Sequence, residues 1–306
     1  MRPSRRPLTT GLIHGTRMPA AATRRDRGLH EYTTAVLRVA QPSTDRYICR
    51  QNGIHDDAQR GATMPQPITL SQLDLSREHL ASLMDFSVLN PDASKADIDR
   101  GIAISKEYRF KGFHTNPGWA PYVADQLEGT GIETGWVVAF PFGCLSTAAK
   151  VAEAQEGARV LNGRPWVIDM VANHGKLKSG DYDDYRRDIA EVVKAAHDGG
   201  AECKAILEAQ LLTDDELRAA VELASEAGVD WVKSSTGRHG GPQFAQVKIM
   251  CDTAPEGVKV KIAGTGSFWT PMVALGCLLL GVERIGTRSA PWICDELSGD
   301  LGRLLK

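Results

Sequence analysis

From about residue 64 onward, apolar side chains recur along the chain in two alternating periods. Short runs rich in valine and isoleucine lie near residues 83–86, 112–115, 135–140, 166–171, 203–207, 230–234, 258–263 and 284–287. Their length and β-branched content read as strands. Between them lie stretches of helical period with helical start signals. Thr213-Asp-Asp-Glu216 has the spacing of a capping box, in which hydroxyl and carboxylate each bond the other residue's backbone N–H. It precedes the apolar positions Leu217, Ala220, Val221 and Ala224, and Gly228 closes the segment. Ser94-Lys-Ala-Asp97 opens a second such stretch, with Ile98, Ile102 and Ile104 on the following turns. Eight strand signals alternating with helices imply parallel strands joined by right-handed crossovers. Eight repeats allow closure, so the predicted fold is α/β, a (β/α)8 TIM barrel, which needs roughly 250 residues. An open doubly wound sheet is the alternative; it usually carries a GxGxxG turn after its first strand, and none occurs here.

The periodic pattern stops short of the first 63 residues, which divides the chain into an extension over 1–63 and a barrel domain over 64–306. The extension is rich in arginine, proline and small residues and contains no lysine. Arginines suit an organelle-targeting segment, but Asp26, Glu31, Asp45, Asp56 and Asp57 do not. A disordered extension, or a start assigned upstream of a true start at Met64, is the expectation, with no chemistry in either case. Composition adds limits. A formal net charge of -2 gives no electrostatic reason to expect nucleic acid or a membrane surface as partner. The longest apolar stretch, residues 272–282, is interrupted by glycine and too short to span a bilayer. Six cysteines without metal-ligand spacing read as reduced, mostly buried thiols of a cytoplasmic protein.

In a barrel of this kind the chemistry sits at the C-terminal ends of the strands, so polar residues closing apolar runs are the candidates. Asp85 follows Leu83-Met84, Asp169 lies within Val167-Ile-Asp-Met-Val171, Lys233 ends Asp230-Trp-Val-Lys, and Lys261 lies within Val258-Lys-Val-Lys-Ile-Ala263. Strand alternation turns Val232, Val260 and Ile262 toward the outer helices and Lys233 and Lys261 toward the barrel axis. Two inward lysines and an aspartate are unfavourable unless paired or used. A buried ion pair of Asp169 with either lysine is one reading, though two lysines exceed what one partner needs. Amine catalysis is the other. A lysine attacks a carbonyl only as the free amine, which is under about one part in 10³ of an ordinary lysine at pH 7. A second ammonium and partial burial lower the pKa, and a lysine–aspartate pair can move the protons that carbinolamine and enamine steps require. That chemistry needs neither metal nor cofactor, and HExxH, HxH and GxxxxGK[ST] are all absent from the sequence. His114 falls inward on the second strand, where it could line the substrate pocket, with satisfaction by a backbone carbonyl as the favoured reading. Glu208 closes the fifth strand, where it could pair with Lys204 or Lys233. Phe268 and Trp269 read as a pocket lid or packing.

Six runs then appear in order: Met84-Asp-Phe-Ser-Val-Leu-Asn-Pro-Asp92, Phe140-Pro-Phe-Gly143, Ile168-Asp-Met-Val-Ala-Asn173, Leu177-Lys-Ser-Gly-Asp181, Lys204-Ala-Ile-Leu-Glu208 and Val232-Lys-Ser-Ser-Thr-Gly237. Together they resemble the deoxyribose-phosphate aldolase family over roughly residues 70–295. The resemblance implies a class I aldolase that cleaves 2-deoxyribose 5-phosphate to glyceraldehyde 3-phosphate and acetaldehyde. It implies Lys233 as the Schiff-base lysine, Lys261 as its perturbing neighbour, Asp169 as a proton shuttle through water, and Asp85 as a holder of substrate hydroxyls. It also implies a small phosphorylated sugar as ligand, and the family is often dimeric. Where the family usually has a Gly-Gly-[Ile/Val]-Arg-Thr turn to cradle phosphate, this chain reads Ala263-Gly-Thr-Gly-Ser-Phe-Trp-Thr270, without arginine. The later Gly-[Thr/Ala]-Ser-Ser run reads Gly286-Thr-Arg-Ser289. Gly264, Gly266, Gly286 and Ser289 could still hold a phosphate, with Arg238 or Arg288 supplying charge. The altered turns leave open an aldolase with a different aldehyde, and a barrel whose lysines merely pair with Asp169 and Glu208 would be a binding protein.

Overall fold

The computed structural model describes residues 68–305; the expectations for residues 1–63 lie outside the described residues. Eight strands close a parallel barrel in chain order: β1 (Met84–Val88), β2 (Gly112–Thr115), β3 (Glu133–Val138), β4 (Trp166–Val171), β5 (Glu202–Ile206), β6 (Trp231–Lys233), β7 (Lys259–Ala263) and β8 (Arg284–Gly286). The ring is sealed where Met84 and Asp85 pair with Ile285 and Gly286. Each expected strand is present; β2 and β4 keep their expected ends, and the others are displaced by a residue or two. The third is displaced most, because Ala139 turns into the left-handed region at φ 54° and stops the ladder before Phe140.

Period-two alternation sorts the side chains. Ile168 and Met170, Cys203 and Ala205, Val232, and Val260 and Ile262 join one apolar core with the surrounding helices. Burying each large aliphatic side chain there contributes about 1.5–3 kcal/mol. The intervening residues Asp169, Lys204, Lys233 and Lys261 are also buried, but they lie outside that core and bond to one another in the barrel interior.

Both expected capping boxes form. Thr213 and Glu216 open the helix Asp214–Glu226, and Ser94 and Asp97 open Lys95–Tyr108. Each satisfies backbone donors that the first helical turn leaves open, typically worth about 1 kcal/mol. Gly228, at φ 86°, turns the chain from the first of these helices toward β6. Among the described residues no helix is long and apolar enough to cross a membrane. Cys203, Cys251, Cys277 and Cys294 are buried free thiols, and Cys144 is an exposed one.

The N-terminal end of the barrel is filled by Trp231. Its indole has Lys259 Nζ 4.7 Å, Arg284 Cζ 5.1 Å and Lys204 Nζ 5.6 Å from the ring centre, and its Nε1 donates to Glu202 Oε2 at 2.6 Å. Glu202, Trp231, Lys259 and Arg284 are the first residues of four consecutive strands. A cation-ringed aromatic therefore floors the interior below the polar cluster.

Candidate active site

Four neighbouring strands bring the cluster together. Register places Asp169 beside Lys204 and Lys233 beside Lys261, so β4 through β7 present one carboxylate and three ammonium groups at adjoining heights. Asp169 Oδ2 accepts from Lys233 Nζ at 2.7 Å and Lys261 Nζ at 3.1 Å, and Asp169 Oδ1 lies 3.6 Å from Lys204 Nζ. From the other side of the barrel, Asp85 Oδ2 stands 2.7 Å from Lys261 Nζ, and Asp85 Oδ1 accepts from Arg284 Nη1 at 3.0 Å.

The interior thus holds four cationic side chains against two buried carboxylates, and that imbalance sets the protonation states. Burial opposes ionisation of Asp169, but the His114 imidazole and Lys233, Lys261 and Lys204 outweigh it and hold the carboxyl well below its ordinary range. Burial likewise opposes the charge on Asp85, and Lys261 and Arg284 overcome it. Among the lysines the outcomes diverge. Burial lowers Lys261, yet its two aspartates lift it above an ordinary lysine. For Lys204 burial prevails and the pKa falls. Lys233 is pushed down to about 8 by burial, with repulsion from Lys261 and Lys204 adding to it against the pull of Asp169. One lysine is therefore poised near neutrality beside another that stays charged, an arrangement that suits nucleophilic amine chemistry.

Lys233 and Lys261 open into a cavity of about 290 Å³ at the C-terminal end of the barrel. Asp85, His114, Lys233 and Lys261 line its base. One wall is built from Gly264, Thr265 and Gly266 after β7 and from Gly286, Thr287, Arg288 and Ser289 after β8. The turn after β7 is locked by Trp269, whose Nε1 donates to the Gly264 carbonyl at 3.1 Å. Gly264 has no room for a side chain, because a Cβ would sit 2.7 Å from the Gly241 Cα. Trp269 and Phe268 meet edge to face, with ring centres 4.8 Å apart, so this pair is wall and packing.

The expected site residues line the cavity with two exceptions. Asp169 is fully buried and reaches it only through its bonds to Lys233 and Lys261. Arg238 does not line it. Its side chain is drawn across the mouth-side loops, where Nη2 donates to the Leu89 carbonyl at 3.0 Å. Two other expectations change. His114 is not satisfied by a backbone carbonyl: its Nε2 lies 3.3 Å from both Lys261 Nζ and Asp169 Oδ2. Glu208 pairs with neither lysine. It takes a left-handed backbone (φ 48°) and folds back to accept from Thr236 Oγ1 at 2.5 Å and Thr236 N at 3.3 Å, bracing the loop that follows Lys233. Lys204 and Arg284 escaped sequence reasoning as members of the cluster. The signal for Lys204 was available, since it alternates with Cys203 and Ala205 as Lys261 does with its neighbours. Arg284 opens its strand, where no preceding alternation marks a face.

No family model matches the chain. Similarity to individual proteins is extensive. Deoxyribose-phosphate aldolase 2 of Staphylococcus aureus is 42% identical over 185 residues, which is 60% of this chain and 82% of the relative. The deoxyribose-phosphate aldolase of Enterococcus faecalis is 37% identical over 222 residues, 72% of this chain and 98% of the relative. The chain belongs to the deoxyribose-phosphate aldolase family. This is a family of lyases, and its fold is shared in three dimensions. The tetrameric deoxyribose phosphate aldolase of Aeropyrum pernix superposes with a TM-score of 0.65 at 29% identity, covering 73% of this chain and 93% of that one.

Proposed function

We propose that the protein cleaves 2-deoxy-D-ribose 5-phosphate to D-glyceraldehyde 3-phosphate and acetaldehyde through a Schiff base on Lys233. The observation that carries this reading is the Lys233 amine: 2.7 Å from Asp169, with a pKa lowered to about 8, in the base of a cavity one wall of which holds Gly264, Gly266, Gly286, Arg288 and Ser289. The neutral amine attacks C1 of the open-chain sugar, and loss of water from the carbinolamine leaves a protonated imine. The C3 hydroxyl then gives up its proton through water to the Asp169–Lys261 pair, the C2–C3 bond breaks, and its electrons move into the imine to form an enamine. Glyceraldehyde 3-phosphate departs, C2 takes back a proton, and hydrolysis frees acetaldehyde and Lys233. In this reading Asp85 binds a substrate hydroxyl, and Gly264, Gly266, Gly286, Ser289 and Arg288 hold the phosphate.

Borohydride reduction in the presence of acetaldehyde tests the assignment. Irreversible mass should appear on the peptide bearing Lys233, and Lys233→Met should remain folded but acquire no adduct and turn over no substrate. An adduct at another lysine, or none in the wild type, would remove the Schiff-base reading while leaving family membership intact.

A further inference from the structure

Lys261 has three N–H donors and three groups facing it: Asp85 Oδ2 in an ion pair at 2.7 Å, and Asp169 Oδ2 at 3.1 Å and His114 Nε2 at 3.3 Å in hydrogen bonds. Two are carboxylates. The third can accept only if the imidazole is neutral and carries its proton on Nδ1. Three observations favour that state. His114 is 2% exposed, so a third cation would be desolvated beside Lys261. At the same distance of 3.3 Å, Nε2 is in hydrogen-bond geometry with Lys261 Nζ and only in an ion-pair contact with Asp169 Oδ2, while the carboxylate on the Nδ1 side, Asp85 Oδ2, lies 4.0 Å away, where an Nδ1–H would face it. Burial also moves the imidazole below its ordinary pKa. With His114 neutral, three ammonium groups still keep Asp169 ionised.

The place for this ring is built into the barrel. A Cβ at residue 135 on β3 would lie 2.2 Å from His114 Cδ2, so the imidazole occupies space that only glycine leaves free. From the facing strands, the charged groups around it are Asp85 (β1), Asp169 (β4), Lys204 (β5), Lys233 (β6), Lys261 (β7) and Arg284 (β8).

We propose that His114 is a positioning residue: a neutral Nδ1–H imidazole that accepts the third N–H of Lys261, fixing that ammonium between the two aspartates and thereby keeping Lys233 reactive. The inference rests on the Schiff-base reading above. Without the acceptor, one N–H of a buried ammonium is left unmatched, Lys261 holds its charge less firmly, and its repulsion of the Lys233 ammonium weakens.

The test measures borohydride-trapped adduct at Lys233 against pH in the wild type, His114→Leu and His114→Gln. In His114→Leu the midpoint should move up from about 8 by roughly half a unit or more, with trapping at pH 7 slowed at least about threefold. The Gln amide oxygen can accept from Lys261, so His114→Gln should recover most of both. An unchanged midpoint in a folded His114→Leu protein, or Gln behaving like Leu, overturns the proposal. Absence of a Lys233 adduct in the wild type is a different result and removes the underlying reading. Should His114→Leu not fold, nitrogen NMR of ¹⁵N-histidine-labelled wild type decides, with His114→Gln assigning the signal. A protonated Nδ1 with bare Nε2 supports the assignment, and the Nε2–H tautomer or a doubly protonated ring sinks it.

Discussion

At the scale of single residues, the two candidate phosphate arginines separate. Arg288 lines the cavity beside Ser289, whereas the Arg238 guanidinium is bonded to the Leu89 carbonyl. A charge-assisted bond to phosphate is worth roughly 1.5–3 kcal/mol, and 1.4 kcal/mol is one decade in affinity. Arg288→Ala should therefore raise KM for 2-deoxyribose 5-phosphate by about tenfold or more and leave the unphosphorylated sugar nearly unaffected. Arg238→Ala should change KM for either by less than about threefold. Steady-state kinetics on the two sugars checks both, and equal effects on the two sugars in Arg288→Ala would assign that arginine to the scaffold. The sequence identified Lys233, Lys261, Asp169 and Asp85 because alternation along a strand is a local property: one outward valine on either side suffices to turn a lysine inward. It misjudged His114 and Glu208 because their partners lie on other strands and loops. Gly135, which admits the imidazole, is 21 residues away in the chain, and Thr236, which claims Glu208, is 28 residues away.

At the scale of elements, the loop that leaves β6 carries the candidate nucleophile's immediate support. Ser234 and Ser235 both donate to the Ala263 carbonyl at the end of β7, and Glu208 at the end of β5 holds Thr236. The loop is thus pinned to both neighbouring strands rather than to its own helix. The Glu208 carboxylate is buried, and removing it takes the acceptor from the part-buried Thr236 N–H and hydroxyl, leaving the hydroxyl only the N–H of Arg238 to accept. Such an unsatisfied group costs about 1–3 kcal/mol. Glu208→Ala should lose stability by about that much in denaturant titration and lower kcat, while the pH midpoint of Lys233 trapping stays in place, since Glu208 touches neither lysine. A shifted midpoint would mean that Glu208 takes part in the charge cluster after all. Strand existence and order were legible here from periodicity, and both capping boxes from spacing. The ends of the strands were not, because they depend on backbone turns such as that at Ala139, which no side-chain pattern announces.

At the scale of the whole molecule, the buried charge excess links stability to pH. Lys233 falls from an ordinary value of 10.5 to about 8 in the fold. Below pH 8 both folded and unfolded chains carry this proton, and the fold bears the full disadvantage, about 3 kcal/mol at 1.36 kcal/mol per pH unit. Between pH 8 and 10.5 the folded protein releases the proton first, so the disadvantage fades as pH rises. Lys233→Met should therefore melt above the wild type at pH 7, and the gap should narrow by pH 10 in paired thermal scans. A constant gap would show that the Lys233 ammonium is not disfavoured by folding.

The indole of Trp231 beneath the cluster has a consequence for traffic. A barrel floored at one end is a flask that opens at the other, where the segments after β1, β6, β7 and β8 surround the cavity. On the proposed reading, glyceraldehyde 3-phosphate sits by its phosphate at the turns after β7 and β8, above the enamine it has just left. The phosphorylated fragment is free as soon as the C2–C3 bond breaks, whereas acetaldehyde must still be protonated and hydrolysed from Lys233, so on this reading the products leave as a queue with the phosphorylated fragment first.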